Sequence, residues 1–106
     1  MTTLCLPLKK KWYDMIESGE KCEEYREIKP YWISRLTEYK IGPDPNMIEP
    51  RRSFKPYTHV LFRYGYTKRT MLREIVSMKA GFGNPVWGAP ADRKVFIIKF
   101  KKGEEQ

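Results

Sequence analysis

The sequence predicts a single α+β domain, built as a small mixed or antiparallel β-barrel of about five strands with two helices at one end. Its 106 residues give room for one hydrophobic core, so residues 1–106 are expected to form one domain. At 41% hydrophobic and 14% aromatic, the chain can fold that core without disulfides or a metal. Segments with a period of two alternate with helical patterns and with loops rich in proline and glycine, which indicates short strands and helices.

The N-terminal part is predicted to contain a strand and a helix. Alternating leucines predict a strand from Leu4 to Leu8, in which Pro7 requires an edge or an end. A helix is predicted from Lys9 to Ser18, because large apolar residues there fall at i, i+3 and i+4. These residues are Trp12, Met15 and Ile16. Gly19 suits the left-handed position just past the end of a helix.

A charged strand and a second helix follow. The stretch from Lys21 to Lys29 alternates, but neither of its faces is cleanly apolar. Pro30 favours the first turn of a helix that runs to Leu36, since its missing N–H would be unpaired there. From Glu38 to Pro56, four prolines forbid a regular element, and the sequence predicts a long surface loop.

Three further strands are predicted in the C-terminal half. Thr58 to Tyr66 alternates β-branched and aromatic residues. A turn leads to a hairpin partner, Met71 to Met78, and an irregular stretch from Ala80 to Asp92 precedes a last strand, Lys94 to Lys102. The alternation places one set of apolar residues on a single face of each strand: Val60, Phe62 and Tyr64 in the first, Leu72, Val76 and Met78 in the second, and Phe96, Ile98 and Phe100 in the last.

The charge of the chain suggests an anionic partner, and the lack of a long apolar stretch argues against a membrane-spanning role. The formal net charge is +8, which favours a polyanion such as RNA, although solubility alone would also account for it. No apolar stretch approaches the roughly 20 residues that a membrane span needs. Small secreted domains usually carry more than two cysteines, so for Cys5 and Cys22 we expect reduced thiols and a cytoplasmic location. Both also lack the paired spacing of a zinc or redox site, and we expect no metal and no cofactor.

The stretch from Gly19 to Arg26 contains the best candidates for a functional site. Glu24 and Arg26 lie two apart on one strand face, and Lys21 follows the turn at Gly19. Burying such groups is tolerable when they pair or when a ligand completes the pairing. The pattern predicts a cleft with a surplus positive charge, able to hold a phosphate or a base edge. The alternative is an exposed, salt-bridged strand.

These residues resemble a known family. Gly19, Lys21, Glu24 and Arg26 fit the Gly-x-Lys-x-x-Glu-x-Arg signature of ASCH domains, small relatives of the PUA barrel that are common in bacteria and phages. The similarity extends over LKKKWYDMIESGEKCEEYREIKPYWISRL and over GFGNPVWGAP near the C-terminus. The resemblance implies a PUA-like β-barrel with helices at one opening and a cleft beside the signature. Lys21, Glu24 and Arg26 would line this cleft, which is linked in the family to RNA binding or RNA modification.

The resemblance also implies an enzymatic alternative. Some ASCH-like proteins are amidohydrolases of modified nucleosides, and others are ribonucleases. In the amidohydrolase pattern a threonine nucleophile stands where this chain has Glu24, and a carboxylate is a poor substitute for it. An enzyme would therefore have to use Glu24 as general base and Lys21 to stabilise developing negative charge.

Other candidates are ligand contacts. Trp87 is expected either to stack on a base at the cleft or to plug the end of the barrel, and Tyr25, Tyr31 and Trp32 share this ambiguity. Arg63 is included among the ligand-binding residues. Basic loop residues are candidates for phosphate contacts, with a solvated surface as the alternative. They are Arg51, Arg52, Lys55, Lys68 and Arg69. His59 stands without an obvious partner and is not expected in a site.

Three functions remain open on the sequence. The first is a domain that binds RNA or a nucleotide-like ligand through Lys21, Glu24 and Arg26. The second is a hydrolase of modified nucleosides or of RNA. The third is a protein-interaction domain whose charged cleft holds a peptide or an acidic partner.

Overall fold

A computed structural model of the chain describes residues 1–38 and 54–103. It contains five strands, two α-helices and one short 3-10 helix within those ranges, which confirms the α+β class. The elements in chain order are β1 (Thr3–Leu8), α1 (Lys10–Glu17), β2 (Glu23–Arg26), α2 (Pro30–Leu36), β3 (His59–Tyr64), β4 (Thr70–Gly81), the 3-10 helix (Pro85–Trp87) and β5 (Val95–Phe100). Most of the predicted loop from Glu38 to Pro56, with Arg51 and Arg52, lies outside the described residues.

The five strands form one mixed sheet in the order β1-β3-β4-β5-β2. β1 runs parallel to β3, and all other neighbours are antiparallel. The sheet is not closed as a barrel, because the described strands leave β1 and β2 as its two edges. Pro7 lies in edge strand β1, as predicted, and it has no backbone N–H with which to continue a ladder toward β2.

The main core lies between the sheet and the two helices. Its fully buried members come from β1, α1, α2, β3, β4 and β5. They are Leu4, Leu6, Leu8, Tyr13, Ile16, Leu36, Val60, Phe62, Met71, Phe96, Ile98 and Phe100. The predicted apolar face of α1 is rotated in the structure: Tyr13 and Ile16 are buried, whereas Trp12 and Met15 are only half-buried. The i, i+3 spacing of Tyr13 and Ile16 therefore describes the core face, and Trp12 lies at its margin.

A β-bulge in β4 changes which of its side chains face the core, so the predicted alternation of this strand is wrong. The register of β4 against β5 shifts between Ile75 and Ser77, so the side-chain alternation inverts along the strand. Met71 and Ile75 pack on the core before the bulge, and Met78 does so after it. Leu72 and Val76 are exposed, contrary to the prediction that they share one face of the strand with Met78. A sequence pattern of strict period two does not reveal such a shift.

The elements around the charged stretch are shorter than predicted. β2 spans four residues, and Lys21 and Cys22 lie before it instead of within it. Gly19 has φ of 87°, the left-handed conformation predicted after α1. Pro30 occupies the first turn of α2, also as predicted. None of the helices in the described ranges is long and apolar enough to cross a membrane.

Candidate functional site

The turn after α1 brings Lys21 to the start of β2. The backbone N–H of Lys21 donates to the carbonyl oxygen of Met15 at 3.0 Å, which fixes the chain as it leaves Gly19. Glu24 and Arg26 follow at alternate positions of β2 and share one face of that strand. The structure therefore brings these three signature side chains together at the β2 edge of the sheet.

A buried ion pair forms the centre of this group. Lys21 Nζ lies 3.0 Å from Glu24 Oε1, and the side chains are 0% and 5% exposed. Burial lowers the pKa of Lys21 below its usual 10.5, and the adjacent Glu24 carboxylate opposes that shift only in part. Glu24 Oε1 also accepts the backbone N–H of Tyr25 at 3.0 Å. One carboxylate oxygen thus holds both the lysine and the strand backbone.

The second oxygen of Glu24 has no hydrogen-bond partner among residues 1–38 and 54–103. Glu24 Oε2 is buried, and none of the side chains or backbone groups in the described ranges donates to it. The NH1 atom of the Arg26 guanidinium lies 3.6 Å from it, which is an ion-pair distance but too long for a hydrogen bond. A buried polar atom without a partner costs about 1–3 kcal/mol. A water, an ion or a ligand donor at this position would satisfy the atom.

Arg26 connects the two edges of the sheet. Its NH2 group donates to the Pro7 carbonyl oxygen of β1 at 3.2 Å, and its NH1 group donates to the Tyr25 carbonyl oxygen at 2.7 Å. The guanidinium carbon lies 5.2 Å from the ring centroid of Trp32, a cation–π contact. The side chain is 17% exposed, so this fixed guanidinium still faces solvent next to Glu24.

A cavity of about 260 Å³ opens over these residues and is here called the Glu24 cavity. It is lined by Pro7, Leu8, Lys9, Trp12, Glu24, Tyr25, Arg26, Trp87 and Gly88. Trp12 also lies under the Lys21 ammonium, 4.2 Å from Nζ to the ring centroid. Gly88 has φ of 103°, and a Cβ there would lie 2.8 Å from Trp12 Cζ2. Glycine at this position therefore lets the loop pack directly against the Trp12 ring.

The loop GFGNPVWGAP forms the wall that carries Trp87. The Tyr25 hydroxyl accepts the backbone N–H of Asn84 at 3.0 Å and donates to Glu23 Oε1 at 2.7 Å. Burial is the main reason that the pKa of Tyr25 is raised well above its usual 10.0, and the Glu23 carboxylate adds to it. Asn84 Oδ1 accepts the N–H of Val86 and starts the 3-10 helix. Tyr25 thus has a structural role in holding this wall to β2.

A larger cavity of about 430 Å³ adjoins the first and is here called the Arg93 cavity. It is lined by Tyr25, Arg26, Glu27, Lys29, Trp32, Pro85, Gly88, Ala89, Pro90, Arg93 and Val95. The two cavities share Tyr25, Arg26 and Gly88. The two cavities therefore adjoin beside edge strand β2, with Arg26 in the lining of both, and together they are here called the groove.

Some of the candidate residues lie elsewhere. Arg63 lines a separate cavity with Cys5, Leu61 and Tyr66, because Phe62 is buried in the core and its neighbour must point to the other face of β3. The Arg69 guanidinium is held by both carboxylate oxygens of Glu17 at 2.8 Å. The structure therefore does not place Arg63 with the signature residues, and Arg69 already has an internal partner.

His59 and the two cysteines do not line the groove in the structure. Nδ1 of His59 is 2.8 Å from the Thr58 hydroxyl, and neither cavity of the groove is lined by this ring. Cys5 and Cys22 are free thiols. No group of three or more metal-ligating side chains occurs within residues 1–38 and 54–103.

Sequence reasoning did not select Trp12, Lys9 or Arg93 for the site. Helical spacing predicts only that Trp12 shares one face of α1 with Met15 and Ile16, and the structure places its ring at the margin of the core face, in the lining of the Glu24 cavity. Lys9 stands in a run of three lysines, and Arg93 in a predicted irregular stretch. No local pattern distinguishes these two residues from other surface cations.

Comparisons of the chain with protein-family models, with curated proteins and with solved structures found no match.

Proposed function

We propose that this chain is an ASCH-type, PUA-like domain that binds RNA or a nucleotide-like ligand in the groove along β2. The observation that carries the proposal is that Glu24, whose buried Oε2 has no hydrogen-bond donor in the described part of the chain, lines a cavity whose wall includes two tryptophans. The signature residues Gly19, Lys21, Glu24 and Arg26 support the family assignment. Arg26 of edge strand β2 donates a hydrogen bond to the Pro7 carbonyl oxygen of edge strand β1. This side-chain contact between the two edges supports a relationship to the closed PUA barrel.

The arrangement favours a base edge over a phosphate at Glu24. A phosphate would bring negative charge to a buried carboxylate and could not donate to Oε2, whereas an amino or imino group of a base donates to it. Arg26 next to it offers N–H donors to an adjacent acceptor on the same base edge. Trp12 and Trp87 provide apolar, aromatic surface, and stacking is worth about 1–3 kcal/mol per base.

The net charge supports a polyanionic form of that ligand. At +8 the chain attracts phosphates over roughly a Debye length, about 8 Å at physiological salt. Affinity for RNA should then fall steeply as salt rises.

Binding of short single-stranded RNA homopolymers, followed by tryptophan fluorescence at low and physiological salt, tests this proposal. We expect binding that weakens with salt, a strong loss in Arg26→Ala, and little change in Arg63→Ala, which removes the same charge from the other face of the sheet. Circular dichroism of each variant controls for folding. Binding that is absent, or equal in the Arg26 and Arg63 variants, would refute the proposal.

A hydrolase of modified nucleosides or RNA is the second candidate. The lowered pKa of Lys21, beside a carboxylate oxygen that accepts no hydrogen bond from the described residues, favours it. Glu24 Oε2 is the atom that would take a proton as general base. Turnover of a nucleoside panel and of structured and single-stranded RNA should then be lost in Glu24→Gln and Lys21→Ala. Equal product from wild type and both variants would count against catalysis at this site.

A further inference from the structure

The groove has two chemically different halves. The Glu24 cavity combines the cations Lys9 and Arg26 with the Glu24 carboxylate, whose buried Oε2 has no donor among the described residues and can accept from a neutral group. The Arg93 cavity presents three cations, Arg26, Lys29 and Arg93, against the single carboxylate of Glu27. A ligand that fills both cavities therefore meets a hydrogen-bond acceptor in the first and a larger surplus of positive charge in the second.

The cations of the Arg93 cavity are available to a ligand. Lys29 Nζ is 3.8 Å from Glu27 Oε2, and both side chains are more than half exposed, so this pair is weak. Arg93 is exposed and makes no ion pair with any residue in the part of the chain that the structure describes. Arg26 donates to two backbone carbonyls and keeps further N–H groups at the junction of the cavities. These charges are positioned next to the Glu24 cavity.

The walls of the Arg93 cavity are partly apolar, which suits the sugar or base of a nucleotide in addition to its phosphate. Trp32, Pro85 and Pro90 give it apolar surface, and its volume of about 430 Å³ exceeds that of the Glu24 cavity. Volumes of roughly 300–1,000 Å³ are typical of small-molecule sites. The volume of the Arg93 cavity falls within this range.

We propose, building on the function above, that the ligand is a phosphate-bearing nucleotide within a single strand and that a free nucleoside fills only half of the groove. One unpaired base occupies the Glu24 cavity, and its phosphate and the neighbouring nucleotide lie in the Arg93 cavity. A base in a duplex has its pairing edge occupied and remains stacked, so duplex RNA does not offer the donor that Glu24 requires.

The test compares ligands that differ only in what reaches the Arg93 cavity. The four nucleosides, their 3′- and 5′-monophosphates, single-stranded RNA tetramers and a 12-base-pair RNA duplex are titrated by calorimetry and tryptophan fluorescence at two salt concentrations. Wild type is compared with Arg93→Gln and with the matched control Arg63→Gln. Both arginines are exposed, so neither change should unfold the protein.

We expect the best tetramer to bind at least about tenfold more tightly than its nucleoside, with the duplex weaker than the tetramer. Arg93→Gln should weaken tetramer binding several-fold and reduce the slope of log affinity against log salt by about one. It should leave nucleoside affinity unchanged, and Arg63→Gln should leave all affinities unchanged.

The proposal is overturned if nucleosides bind as tightly as tetramers, if the duplex binds as well as the single strand, or if the two arginine variants behave alike. In those cases nucleoside or RNA binding that Glu24→Gln removes would still support the broader function. If wild type binds none of these ligands, both proposals fall.

Discussion

Replacing Glu24 by leucine should destabilise the fold strongly, because it leaves the Lys21 ammonium buried without its counter-ion. Across 3.0 Å the pair gains about 5.5 kcal/mol of Coulomb energy at an effective dielectric constant of about 20. Desolvation of two buried charges offsets much of this, but removing one partner of such a pair typically costs about 3–5 kcal/mol. We expect a loss in that range for Glu24→Leu, measured by urea denaturation.

The complementary variant Lys21→Met should cost less. Glu24 would keep the Arg26 guanidinium at 3.6 Å and the Tyr25 N–H, so its charge would remain partly compensated. The double variant Lys21→Met/Glu24→Leu removes both charges and should recover most of the stability lost in Glu24→Leu, since apolar replacements of buried pairs are often neutral. It should fold but not bind RNA or nucleotides, which separates the stability of the site from its function.

The pH dependence provides a further check on this reasoning. The folded-state pKa of Lys21 is below its unfolded value of 10.5, so the unfolded chain binds more protons between these values and stability from this group rises with pH. Loss of Glu24 lowers the folded pKa further, so the deficit of Glu24→Leu should shrink as pH rises from neutral toward 10.5. A Glu24→Leu loss below about 1 kcal/mol, or a deficit that grows with pH in this window, would refute the account of a buried ion pair.

Three further variants probe the groove. Tyr25→Phe removes two hydrogen bonds and should lower the free energy of unfolding by about 1–2 kcal/mol. The raised folded-state pKa of Tyr25 stabilises wild type below about pH 10, and this stability is lost as pH rises further, so the difference between the two proteins should shrink there. A constant difference in urea denaturation at alkaline pH would contradict this. Gly88→Ala forces a left-handed residue with a Cβ against Trp12, so thermal unfolding should show a loss of about 1–3 kcal/mol or more, and an unchanged melting temperature would argue against the contact. Trp12→Leu should weaken RNA binding roughly 5- to 150-fold by loss of stacking, as measured by anisotropy of labelled RNA, whereas unchanged affinity would remove Trp12 from the site.

Local chemistry in the sequence was enough to place most elements. Pro30 at the start of α2 and Gly19 after α1 act through backbone geometry, which depends on a residue and its immediate neighbours. The grouping of Lys21, Glu24 and Arg26 was also accessible, because strand alternation and a short turn fix their relative positions within six residues. The α+β class followed from the same local patterns.

The tertiary structure decided what the patterns could not. The bulge between Ile75 and Ser77 depends on how β4 passes from β3 to β5, so it inverted a face that period two had assigned to Leu72 and Val76. The open sheet likewise depends on which strands meet at long range. Helical spacing could not show that Trp12 packs against a loop more than seventy residues away in the chain. Strand alternation could not show that one oxygen of Glu24 lacks a donor among the described residues. Hydrogen-bond satisfaction and cavity shape result from contacts between distant segments, and a linear sequence states only which side chains are available for them.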